Sequence, residues 1–319
     1  MTSKSRGTGS SVSGSTSSWW TCPFRTSNRV PLPATGTISR AGSSGAGKAA
    51  DEALDFFWQS RVLAAVPGVV HGVSTRRGGV SRPPYTSLNM GFHTGDRPED
   101  VVENRRRWLE VLGLRLDEAV FAEQVHGAEV ALVAAGDRGK GALRLEDAVP
   151  GTDALVTAEA GIALAVLVAD CVPILFAAAD GSAVGVAHAG WRGTLAAVAA
   201  RTVRRFAELG IPPRQLRVAL GPCIRPCCYE VSEDLYQRFR EKLGPEAVGH
   251  TRAGRPALDL AAANRSLLLS LGVPQGAVDV APDCTACRTD LYFSHRAEKG
   301  KTGRMAAVIA RRSAAGSLP

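Results

Sequence analysis

The stretch 162–193, IALAVLVADCVPILFAAADGSAVGVAHAGWRG, decides how the chain reads. It holds two apolar runs of strand length. The run 164–168 ends just before Asp170 and Cys171, and the run 183–187 ends at His188. Continuous apolar runs bounded by turn residues are the pattern of buried strands, and Ala-Asp-Gly-Ser at 179–182 supplies a turn between them. Read as neighbours in one sheet, the two strands bring a thiol and an imidazole to a common edge. Loops at such an edge leave room for a ligand while the strands hold the reactive groups.

Composition bounds the rest. With 319 residues, 45% hydrophobic and 21% charged, the chain can bury a normal globular core. No apolar run reaches the roughly 18 residues of a membrane span; residues 162–179 are interrupted by Asp170, Cys171 and Pro173. Of the net charge of +8, six positive residues (Lys4, Arg6, Arg25, Arg29, Arg40, Lys48) lie in 1–50, a stretch without Asp or Glu. The remainder is too nearly neutral to argue for nucleic acid as a partner. Seven cysteines and no secretory signal point to reduced thiols and a cytoplasmic setting.

Residues 1–53 read as a disordered Ser/Thr/Gly-rich basic tail, since such a segment buries too little apolar surface to offset its ordering entropy. The same composition suits an organellar transit peptide, a second reading of the tail. The folded domain is expected over 54–319. Strands are expected at 121–127, 153–157, 216–220 and 306–310, and helices at 97–112, 194–209, after Ser232 and after Asp259. Strands and helices alternate without a βαβ period, which favours an α+β layered domain.

Three groups of residues can carry chemistry. His126, Cys171 and His188 are too far apart in sequence for a zinc finger, yet they suit a catalytic zinc site with three ligands from separate elements. Buried core His and Cys is the bland alternative. A metal-free alternative makes Cys171 a nucleophile and His188 its base, with Asp170 or a carbonyl orienting the ring, as in cysteine hydrolases. Cys284-x-x-Cys287 with Cys223-x-x-x-Cys227 has the spacing of a structural zinc site, though buried thiols explain it equally well. Anion candidates are Arg76 and Arg77 beside Gly78-Gly79, Arg192 after Trp191, and Arg296 with Arg304. Arg192 follows the strand bearing His188 and stands where a helix begins.

Several longer motifs resemble one family. Gln124-Val-His126-Gly, Ala169-Asp-Cys171-Val-Pro, Ala187-His188-Ala-Gly-Trp-Arg-Gly-Thr, Gly221-Pro-x-Ile-x-Pro-Cys-Cys-Tyr-Glu-Val, Leu258-Asp-Leu-x-x-x-Asn264, and Phe293-Ser-His-Arg with Thr302-Gly-Arg are similar to the multicopper polyphenol oxidase (laccase-domain) family, as are the stretch 71–81 and Ser87-Leu-Asn89. Its members are described as purine nucleoside phosphorylases. The resemblance implies a single four-layer α/β/β/α sandwich and one zinc ion on His126, Cys171 and His188. It also implies phosphorolysis of adenosine, inosine, guanosine and methylthioadenosine, with adenosine deamination as a side activity. Purine nucleosides and phosphate are then the partners, without nucleic acid or membrane. Copper, which the family name implies, is disfavoured because six histidines are too few for a multicopper oxidase. For such a reaction Arg76 and Arg192 are the expected phosphate ligands, with Arg76 and Asp170 joining Cys171 and His188 as catalytic candidates. Some relatives suggest a different alternative, editing of peptidoglycan precursors.

Overall fold

A computed structural model of the chain describes residues 57–312. The expected tail at 1–53 and its transit-peptide reading lie outside these residues, as does Cys22. Among the described residues, no helix is long and apolar enough to cross a membrane.

In chain order the elements begin with a single turn, α1 (Arg61–Ala64), then β1 (Val69–Val73), α2 (Pro98–Val111), β2 (Ala119–Phe121), β3 (Val130–Leu132) and β4 (Ala154–Thr157). The central segment supplies β5 (Ala163–Val168), β6 (Val172–Ala178) and β7 (Val184–Ala189). After these come α3 (Trp191–Leu195), α4 (Val198–Glu208), β8 (Leu216–Leu220), α5 (Glu233–Leu243), β9 (Val248–His250), β10 (Pro256–Leu258), α6 (Leu260–Ser270), β11 (Val278–Val280) and β12 (Met305–Arg311).

The strands build a four-stranded sheet in the order β1-β12-β5-β2, a six-stranded sheet in the order β11-β8-β6-β7-β4-β3, and a small β9–β10 ribbon. Alternation along each strand decides what packs where. Leu164, Val166, Val168, Met305, Ala307 and Ile309 of the first sheet share one core with Leu175, Ala177, Val184 and Val186 of the second. The opposite faces, Ala163, Ala165, Ala306 and Val308, pack against Trp108 and Leu109 of α2. On the far side, Val172, Ile174, Phe176 and Ala187 pack against Val198, Phe206, Phe239, Leu260 and Leu268 of α4, α5 and α6. The result is the expected α/β/β/α stack. Both faces of both central sheets are covered, which is why β5 to β7 read as unbroken apolar runs.

The structure corrects the expectation that 164–168 and 183–187 are neighbours. β5 pairs with β12 and β2 in one sheet, while β7 pairs with β6 and β4 in the other. Between them, Asp170 at φ +87° swings the chain from sheet to sheet, and β6 forms the hairpin with β7. Pro173 made β6 look interrupted. It stands at the second position of the strand opposite His188, whose N–H is given to the Asp153 carbonyl at 2.8 Å instead.

Two further expectations are revised. The strand at 121–127 stops at Phe121, because beyond it the Val125, His126 and Gly127 N–H groups are taken by a side chain rather than by a ladder. The helix at 194–209 is two helices, broken at Ala197, which has φ +59° and gives its N–H to the Thr194 carbonyl. Ser232 and Asp259 do cap α5 and α6, accepting from Leu235 N–H and Ala262 N–H at 3.4 and 2.9 Å.

His71 on β1 gives a pH-dependent term in stability. Its Nε2 accepts from Ser60 N–H at 2.9 Å, a bond only the neutral ring can make, and burial lowers its pKa to about 4 against a weaker opposing pull from the Asp279 charge. The folded form thus prefers the neutral ring while the unfolded chain protonates at the ordinary value. Stability from this residue is complete above pH 6.5 and is lost as pH falls from there towards 4, roughly 3 kcal/mol in all. Urea titrations of wild type and His71→Gln between pH 7 and 4.5 check this: the wild-type midpoint should fall more steeply than that of the variant.

Candidate metal centre and its surroundings

His126, Cys171 and His188 come from three separate places. His126 stands in the loop after β2 with φ +60°, Cys171 between β5 and β6, and His188 within β7. Their Nδ1 or Nε2 and Sγ atoms all lie within 4.8 Å of one another, and the two imidazoles meet edge to face with centroids 4.8 Å apart. His188 is buried, Cys171 half-buried and His126 exposed, so the group opens to solvent on the His126 side.

A residue missed in the sequence organises this group. Asp153, fully buried, accepts from Val125, His126 and Gly127 N–H at 3.2, 3.0 and 2.6 Å, and its Oδ1 lies 2.8 Å from His188 Nδ1. One carboxylate therefore shapes the His126 loop and orients the His188 ring, leaving Nε2 as the nitrogen not held by Asp153. A carboxylate behind an imidazole is the usual support of a histidine metal ligand. The charges reinforce one another. Burial opposes the thiolate, but His188 and His126 draw Cys171 down to about 6. Burial likewise opposes the imidazolium, yet Cys171 and Asp153 raise His188 to about 9. Burial also works against the Asp153 charge, and His188 with the Gly127 and Val125 N–H groups outweighs it, holding the carboxyl below its ordinary value.

The donor set suits a divalent ion: one thiolate and two imidazoles, with a cradle beside them. A Cβ on Gly190 would lie 3.0 Å from Cys171 Sγ and 3.3 Å from His126 Cδ2, so only glycine leaves this side clear. Gly190→Ala should push Sγ off its position by a few tenths of an ångström and cost about tenfold in kcat/KM; an unchanged rate would show that the cradle is not needed. The other histidines do not extend the set towards a multicopper centre. His71 is held by Ser60 N–H, and His250 meets the Tyr236 ring at a 48° tilt with centroids 5.8 Å apart. His93 is held near 4 by burial and then by the charges of Arg304, Arg105 and His126.

Asp170 is adjacent to Cys171 in sequence, but its carboxylate is already occupied. Oδ1 accepts from Thr285 Oγ1 at 2.6 Å and Oδ2 from Arg296 N–H at 2.7 Å. Burial raises its pKa against these bonds. Arg76 is likewise committed: Nε donates to Thr86 O at 3.0 Å, Nη1 donates to Thr289 O at 2.8 Å and pairs with Glu298 at 3.0 Å, and the guanidinium lies over Phe293. Arg192 is exposed over the Trp191 ring, and its guanidinium makes no hydrogen bond or ion pair among the described residues. Arg296 donates Nη1 to Glu230 O and lies over Tyr229, whose ionisation is suppressed by burial and then by the Cys171 charge. Arg304 donates Nη1 to the carbonyls of Thr302 and Gly303, with Cys171 among the charges acting on it.

The remaining motifs are largely scaffold. Asn264 Nδ2 donates to Thr194 Oγ1 and Leu260 O, bridging α6 to α3. Glu298 receives Arg76, Ser294 N–H and Thr302 Oγ1, tying the last two motifs to the Gly78-Gly79 loop. Asn89 Oδ1 accepts from Arg304 N–H at 2.9 Å, which fixes where that arginine leaves the loop.

Comparison with known proteins shows what the chain is similar to. The chain is 48% identical over 249 residues to the purine nucleoside phosphorylase YlmD of Geobacillus stearothermophilus, covering 77% of this chain and 91% of that protein. It is 41% identical over 242 residues to a purine nucleoside phosphorylase of Deinococcus radiodurans, covering 76% and 88%. The crystal structure of the Geobacillus YlmD superposes with a TM-score of 0.76 at 45% identity, over 81% of this chain and 99% of that one. The family model described as multi-copper polyphenol oxidoreductase laccase matches residues 70–312, from the second residue of β1 to beyond the end of β12. The chain belongs to that laccase-domain family.

Proposed function

We propose that the protein is a zinc-dependent purine nucleoside phosphorylase. The observation that carries this is the open His126–Cys171–His188 group with Asp153 behind it, in a chain whose relatives bear that name. One Cys and two His on an open face suit zinc, which would supply Lewis acidity towards a substrate oxygen. The substrates of this reading are adenosine, inosine, guanosine and methylthioadenosine, with adenosine deamination as a side activity at the same centre.

Phosphorolysis joins a phosphate oxygen to C1′ of the ribose as the bond from C1′ to the purine nitrogen breaks, with positive charge growing on the sugar. The purine leaves with the bonding pair and needs a proton. Each group of the chain then has a task. Asp153 holds His188 Nδ1 and the 125–127 loop, so that the imidazoles keep one arrangement. Arg192, with no competing partner among the described residues, offers its fork of N–H donors to phosphate. Arg304, which the Cys171 charge reaches, adds positive charge near the centre. Arg76 and Asp170 act as positioning residues: Arg76 fixes the 289–298 segment through Thr289 and Glu298, and Asp170 fixes the chain turn that presents Cys171.

The test is release of free purine from each nucleoside, with and without phosphate. Phosphate-dependent release is expected, with ribose 1-phosphate as co-product, or 5-methylthioribose 1-phosphate from methylthioadenosine; release independent of phosphate would overturn the reading. Arg192→Ala should raise KM for phosphate about tenfold, with a smaller change in KM for nucleoside. Equal changes in both would remove Arg192 from the phosphate.

A further inference from the structure

The expected structural zinc half-site, Cys223 with Cys227, is not what the fold assembles. The four sulfurs that converge belong to Cys227, Cys228, Cys284 and Cys287, all within 4.8 Å of one another. Cys223 instead pairs its backbone with Cys284 as an isolated bridge, which brings the two cysteine turns together. In one turn Cys228 N–H donates to Arg225 O at 2.9 Å; in the other Cys287 N–H donates to Cys284 O at 3.1 Å. Thr285 N–H to Cys223 O, at 3.1 Å, ties the turns to each other.

We propose that these four cysteines form a second, closed metal site that holds one zinc ion as a structural staple. The Sγ atoms of Cys227 and Cys228 lie 3.6 and 3.5 Å from Cys287 Sγ. Four sulfurs around zinc at ~2.3 Å stand about 3.8 Å apart at the edges of a tetrahedron. A disulfide needs ~2.05 Å, so the observed separations match the tetrahedron and not a bond. The surroundings suit a cluster of net negative charge. Arg225 N–H points to Cys284 Sγ at 3.4 Å, and Arg252 Nη2 to Cys287 Sγ at 3.0 Å. Donors of this kind stabilise thiolates and orient them. Four sulfur donors leave no open position and select zinc or iron over harder ions; a closed site suits a structural role.

The staple has a consequence for the other centre. The turns it would join also clamp Asp170: Ile224 N–H donates to Asp170 O at 2.9 Å, and Thr285 Oγ1 to Asp170 Oδ1 at 2.6 Å. The second ion thus stiffens the support beneath Cys171 without touching substrate.

Zinc analysis of protein purified under reducing conditions tests this. Wild type should hold two equivalents per chain, Cys171→Ala one, and Cys227→Ser/Cys228→Ser one, with Tm of the double variant lower by about 5 °C or more. Zinc-free Cys171→Ala protein, or iron in place of zinc, would overturn the proposal. Should the variants not fold, cobalt substitution of the wild-type chain gives the same answer. A four-sulfur tetrahedral ion has thiolate-to-cobalt charge transfer several times as intense as the single Cys171 thiolate can give, and intensity no greater than that of one thiolate would overturn the staple. If the His126 centre binds nothing, wild type and Cys171→Ala both keep one equivalent, which separates failure of that reading from failure of this one.

Discussion

Cys171→Ala is expected to lose the metal of the His126–Cys171–His188 centre and phosphorolysis together, with kcat/KM down by about 10³-fold or more. The thiol is the only anionic donor of the three, and His188 and His126 already draw it down to about 6 against burial. Removing it leaves two imidazoles around a cavity with no charge to match a divalent ion. Cys171 lies in the short connection between β5 and β6, outside the strand ladders, and the flanking register pair Val172–Ala189 is buried without it, so the fold itself should persist. Paired measurements of bound metal and purine release, with circular dichroism as the control, check this. A folded variant that keeps turnover without metal would remove the centre from the reaction.

Asp153→Asn should be the next most damaging change. The carboxylate collects three backbone N–H groups and faces His188 Nδ1. An amide has one accepting oxygen, and its NH2 would meet an N–H donor at Val125, Gly127 or His126. Metal affinity should fall by about 10- to 100-fold, and stability by about 2–4 kcal/mol from the donors left unpaired. Competition with a chelator and urea denaturation measure the two effects. Wild-type metal affinity in a destabilised variant would make Asp153 a residue of the fold alone.

His126, Cys171 and His188, which the fold brings within 4.8 Å of one another, could be picked out as a thiol and imidazoles beside apolar runs. Their spacing alone is a weak signal, and the family likeness was needed to group them. Asp153 could not be picked out, because its role comes from register. The antiparallel pairing of β4 with β7 sets Ala154 opposite Ala187, which places Asp153 beside His188 although 35 positions separate them. The four-layer stack followed from the family likeness. The apolar runs of β5 and β7 could not say which sheet each joins, since a strand buried on both faces carries no sidedness. Ala197 shows the same limit: an alanine at φ +59° breaks a helix that periodicity continues. The anion candidates were the least legible. An arginine beside glycines looks equally free whether it is locked, as Arg76 is by Glu298, or exposed, as Arg192 is.

The most direct test of the central claim is an anomalous difference map from crystals of the active enzyme, recorded across the zinc absorption edge. The account predicts a peak bonded to His126, Cys171 and His188 together. A map with no peak there, from crystals that still cleave nucleosides with phosphate, would contradict it.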